Sequence, residues 1–311
     1  MISCTEFIAA YSELFGFLEE TYGADEVGRF WKYLFQPDGK GIPLINFVEK
    51  EGIRGCFSYW AGTLNEEAAD FSMYLNEKRG FFKSTMHYCP SKGRLLKMEK
   101  EMGLKPYHNY CLHCDCYRSA VEKVGLRYIF DFSGTDHAAC SMLIYDPKVF
   151  DGRVILDGDT VSMHRNAADN EYFHPDFHSS MNMGIHYLGE NYGAQAVSAY
   201  LARYTKNVYG PLLKQIREGG LPVIADKIRD TYQKEKAEQL LTISQGEKYL
   251  EVTVSACPAV THLHNTGRQV SPWFFCITEK IMELFARAAK CRFVLDFYDE
   301  ATGGTRYRFE K

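Results

Sequence analysis

Three stretches of this sequence hold side chains that can do chemistry. The first is a Cys-Pro pair that occurs twice, at Cys89-Pro90 and Cys257-Pro258, each time after a run with strand-like alternation. Proline suits the first position of a helix, which makes each cysteine the capping residue. Backbone N–H groups and the helix dipole favour negative charge there, so the spacing predicts thiols shifted toward thiolate. The plainer reading is a small buried residue closing a strand, since cysteine is among the most buried types. His262 and His264 follow Cys257 by a turn or more, where an imidazole reaches a thiol, whereas Arg94 and Leu96 stand at the matching places after Cys89. Cys257 is the stronger candidate nucleophile, with His178 or His262 as its base.

The second stretch is FHPDFHSSMNMGIHYL, residues 173–188. His174, His178, Asn182 and His186 recur every four residues, which places them on one helical face beside the apolar stripe of Phe177, Met181, Ile185 and Leu188. Pro175 makes His174 the expected helix cap. His174 and His178 form a two-ligand arm for a divalent metal such as zinc or manganese, or else a polar helix face. The third stretch is YCLHCDCY, residues 110–117, where Cys111, Cys114 and Cys116 flank His113. With Cys89 and Cys140 these thiols suit a soft metal, but the second Cys pair of a zinc ribbon is absent. A helix lined with small buried thiols explains them equally.

Composition narrows the classes. Hydrophobic residues make up 46% and charged residues 24%, an ordinary globular balance. The formal net charge of −4 and scattered basic residues give no footprint for nucleic acid. No apolar run reaches the roughly 18 residues that span a bilayer. Glu6 and Glu13 interrupt the apolar start, so no secretory signal is read there. The ten cysteines are then expected as reduced thiols in a cytoplasm. Nucleotide-binding and serine-hydrolase signatures are missing.

The elements that must position these residues are written twice. ETYGADEV at 20–27 returns as ENYGAQAV at 190–197, an offset of 170. At an offset of 168, Pro43 to Pro90 aligns without gaps on Pro211 to Pro258, with nine identities. At 165, Cys111 to Ile144 aligns on Cys276 to Phe309, and GLRYIFDF faces KCRFVLDF. Three blocks in one order predict a tandem duplication: copy one at 1–150, copy two at 171–311, and an unmatched Asp- and Gly-rich linker at 151–170. Each copy reads as four helices, a hairpin, a short helix after Cys-Pro, another helix and a last hairpin. That order predicts an α+β fold, two homologous domains each with a mainly antiparallel sheet of about four strands, packed about a pseudo-twofold axis. Copy one has Cys4 and Ile8 where copy two has His174 and His178, so copy two is expected to carry the site.

FHSSMNMGIHYLGENYG, YLARYTKNVYGPLL, the Cys-Pro strand end and the final RFVLDFYDEATGGTRYRF hairpin resemble the L-2-amino-thiazoline-4-carboxylic acid hydrolase-like family. The likeness covers nearly all of copy two and a worn form of copy one. It implies a hydrolase that opens a small heterocycle at a cyclic amidine carbon. It also points to His174, His178, Cys257 and Cys276 in copy two, and to Cys89 and Cys111 in copy one. Attack is expected either from Cys257 or from water on a histidine-bound metal. The alternative is a non-catalytic module that binds a small molecule or metal, since the last hairpin also resembles vinyl-reductase-type domains. The expected partner is a small-molecule substrate, with a homodimer as the open option for assembly.

Overall fold

Each half opens on helices and carries two more between its hairpins, and the sheets are antiparallel, in keeping with the α+β reading. The structure is a computed structural model, and it describes residues 1–36 and 42–311. The chain divides into two units, one of Leu18–His174 and one of Pro175–Lys311 together with Met1–Phe17. Helix α1 (Phe7–Tyr22) runs across that division. Among the described residues no helix is long and apolar enough to cross a membrane.

In the first unit α2 (Ala24–Leu34), α3 (Leu44–Glu51) and α4 (Ile53–Glu66) precede the hairpin β1 (Asp70–Asn76) and β2 (Phe81–Tyr88). Helix α5 (Pro90–Met102), a 3₁₀ segment at Tyr110–Tyr117 and α6 (Arg118–Lys123) lead to β3 (Arg127–Asp131) and β4 (Cys140–Tyr145). A further strand, β5 (Val161–Arg165), completes an antiparallel sheet in the order β3-β4-β2-β1-β5. Its core packs Leu44, Val48, Trp60, Phe71, Phe82 and Ile144, and the Trp60 and Phe82 rings stack at 5.9 Å. Each such side chain contributes about 1.5–3 kcal/mol by leaving water.

The second unit starts with α7 (Phe177–Val208), which breaks at Gly193, where φ is +77°. Helices α8 (Gly210–Gly219) and α9 (Leu221–Lys234) follow, then β6 (Leu241–Gln245), β7 (Tyr249–Val254), α10 (Pro258–Asn265), α11 (Cys276–Ala288), β8 (Arg292–Tyr298) and β9 (Thr305–Glu310). The sheet order is β6-β7-β9-β8. Strand β7 alternates exposed and buried residues, which puts Leu250, Val252 and Val254 on the core face. The two sheets share a strand order, and the registers coincide as well. Ser84 faces Met142 as Val252 faces Tyr307, and Arg127 faces Tyr145 as Arg292 faces Glu310.

Two expected boundaries shift. Residues 151–170 are no linker, because β5 pairs with β1 from Phe71↔Arg165 to Leu75↔Val161. Asp157 ties the same segment down by accepting from Asn76 at 2.8 Å and Arg79 at 2.6 Å. Residues Met1–Phe17 group with the second unit rather than with the rest of copy one. Phe7 stacks on Phe177 at 4.6 Å, Tyr200 donates to the Ala10 carbonyl at 2.7 Å, and Arg203 and Asn207 both donate to Glu13. A third difference lies at 110–117, where the expected α-helix is 3₁₀ and turns to α only at Arg118.

Candidate functional site

The residues gathered most closely lie in the unit that holds α7. Pro175 and Asp176 lead into that helix, and Asp176 rather than His174 is the capping residue. His178 therefore falls in the first turn, 3% exposed. Its Nε2 lies 2.8 Å from Oε2 of Glu235, the C-terminal cap of α9 and itself 6% exposed. The other Glu235 oxygen accepts the backbone N–H of Cys4 at 2.6 Å. Cys4 opens a short 3₁₀ turn, Cys4–Glu6, capped by Ser3, and its thiol is buried. The Cys4 sulfur, a His178 ring nitrogen and a Glu235 oxygen all lie within 4.8 Å of one another. Burial pushes the Glu235 carboxyl up, but the hydrogen bonds from His178, Cys4 and Ser3 outweigh it and hold the group below its ordinary value. Glu235 is a carboxylate.

His178 also lines a cavity of about 20 Å³ with Cys257, Met181, Phe274 and Tyr298, and with Met1 and Ile2. That volume admits about one water. Cys257 caps α10 as expected, with its N–H bonded to the Thr302 carbonyl at 2.9 Å. Its charge state departs from expectation. Burial pushes the thiol up, and the N–H groups of Val260 and Ala259 offset this only in part. The thiol donates to the Met1 sulfur at 3.5 Å. Cys89 behaves alike: burial raises it to about 12 despite the Lys92 N–H at 3.4 Å. Helix-end dipoles lose to desolvation at both Cys-Pro pairs. His262 lies beside this cavity's histidine, ring centroids 6.4 Å apart, and its Nε2 meets Asp176 at 3.4 Å. Cys276 opens α11 but does not line the cavity, and burial with Glu279 raises its thiol to about 11.

His174 does not join His178. It belongs to the unit of Leu18–His174, where its Nδ1 lies 2.6 Å from Glu66. The two histidines thus turn to different carboxylates, and the helix that holds His178 begins after His174. In the same unit Cys111 and Cys114 stand three apart on a 3₁₀ segment and so share a face, whereas Cys116 falls out of that repeat. Cys114 meets His113 at 3.6 Å. Burial raises Cys111, Cys114, Cys116 and Cys140. With Cys89 they form no set of three donors within 4.8 Å among the described residues.

Sequence reading missed Cys4 and Glu235. Glu235 had a visible signal, since it equals Glu67 at the 168 offset in a block with only nine identities. Cys4 had none, being distant from both partners in the chain. No protein-family model, curated protein or solved structure matches the chain.

Proposed function

We propose that the chain is a hydrolase that opens a small nitrogen- or sulfur-containing ring at a cyclic amidine carbon, using water activated beside His178. The observation that carries this reading is His178, buried against Glu235 and lining a cavity with room for one water. Water attacks the amidine carbon, and one of its protons passes to the ring imine nitrogen. The carbon–sulfur or carbon–nitrogen ring bond then breaks, the departing atom takes the other proton, and the oxygen stays as a carbonyl. Cys257 is a wall of the site rather than its nucleophile, because its thiol is held protonated and its hydrogen-bond partner is a sulfur. A five-membered ring needs more room than one water, so binding displaces the Met1 and Ile2 side chains. The matching registers and strand orders of the two sheets support descent by duplication.

The test is a panel of cyclic amidines, 2-aminothiazolines and hydantoin-like rings incubated with the protein, product being read by mass. Ring opening by the wild type that survives Cys257→Ala and disappears in His178→Gln is expected. Tight binding of a ring with no product from any of them favours the non-catalytic binding module.

A further inference from the structure

Buried polar clusters are costly unless something balances them, and the Cys4–His178–Glu235 cluster offers three different donors. Cys4 comes from the turn before α1, His178 from the first turn of α7 and Glu235 from the end of α9. Three elements far apart in sequence thus converge sulfur, nitrogen and oxygen within 4.8 Å. We infer that these three residues bind one divalent cation of the zinc type, in the C-terminal unit. The inference supplies the water-activating agent of the hydrolase reading and rests on it only for that role.

The donor set selects the metal class. Thiolate and imidazole suit zinc, whereas magnesium and calcium take oxygen ligands and manganese favours carboxylate and water over thiolate. Three protein ligands leave one position of a tetrahedral zinc for water, and the adjoining cavity has room for it. Charge also balances, since a thiolate, a carboxylate and a neutral imidazole sum to −2 against the ion's +2. The Cys4 N–H fixes one Glu235 oxygen and so orients the carboxylate, the kind of support that ligating carboxylates have. Tetrahedral zinc holds its donors about 3.3–3.7 Å apart. The His178–Glu235 contact of 2.8 Å therefore opens slightly when the ion enters. Binding takes the Cys4 thiol proton, which goes to solvent.

The test uses the whole protein, stripped with a chelator and titrated with cobalt(II) as a spectroscopic substitute for zinc. One cobalt per chain with a sulfur-to-cobalt charge-transfer band is expected, and Cys4→Ser should remove the band and weaken binding by at least about 100-fold. Because Glu235→Gln risks misfolding, zinc absorption spectroscopy on the unaltered protein is the second measurement. One sulfur and three nitrogen or oxygen neighbours are expected. Failure to bind cobalt stoichiometrically, a band that persists in Cys4→Ser, or two or more sulfurs around zinc overturns the inference. Zinc bound in the expected shell with no ring opened leaves the metal site standing and removes the hydrolase.

Discussion

Glu235 sets His178 apart from the chain's other histidines, because both partners are buried and each satisfies the other. Removing the imidazole strands a carboxylate away from water. His178→Ala is expected to lower stability by about 3 kcal/mol in urea unfolding, the typical cost of breaking a buried pair. From sequence alone His178 looks like a base, a metal ligand or part of a polar helix face. The difference arises because its partner, Glu235, is 57 positions away. Local spacing singled out His178 and Cys257, which line one cavity. Their grouping with Cys4 and Glu235 was not legible, since only the tertiary fold brings those two residues there. His113 makes a second case. Burial lowers its pKa from 6.5 to about 4, against the carbonyl of Tyr110 that pulls it up. The folded imidazole resists a proton that the unfolded one accepts, so this contribution to stability is full above pH 6.5 and falls as pH drops toward 4. The loss approaches about 3 kcal/mol once the pH is below both values. Urea midpoints measured from about pH 7 to about 4 should fall in the wild type and fall less steeply in His113→Phe.

The turn between β8 and β9 governs where Cys257 sits. Gly303 has a φ of +65°, and a Cβ there meets the Cys257 Cβ at 2.6 Å and Val260 at 2.7 Å. Gly303→Ala is expected to cost about 1–3 kcal/mol through strain and overpacking. It should also shift the cavity wall, read as a drop in melting temperature with altered ligand affinity. The helices and both hairpins of each half were readable because apolar period is a local signal. The 3₁₀ course of Tyr110–Tyr117 was not, because a short segment of that kind carries the same apolar letters as an α-helix. Strand β5 escaped for another reason. Its partner β1 lies some 90 residues earlier, and Asp- and Gly-rich flanks read as linker.

At the scale of the molecule, the first residues belong with the last. Phe7, Tyr11, Leu14 and Phe15 are buried, and Met1–Phe17 counts with Pro175–Lys311. Residues 171–311 expressed alone should therefore bind a hydrophobic dye and melt early, and a peptide of residues 1–17 added in trans should raise the melting temperature. A cut at the sequence-derived boundary also removes Cys4 from His178 and Glu235, so the fragment should fail to retain zinc. The proposed site joins a turn near residue 4 to His178 and Glu235, far along the chain, and that distinguishes it from the thiols of the first unit. The measurement that reaches this claim most directly compares ring-opening rates of Cys4→Ser and Cys111→Ser, one thiol from each unit. Cys4→Ser is expected to lose at least about 100-fold, while Cys111→Ser stays near wild type. Activity lost at Cys111 and kept at Cys4 would contradict the claim and move the working site to the thiols of the first unit.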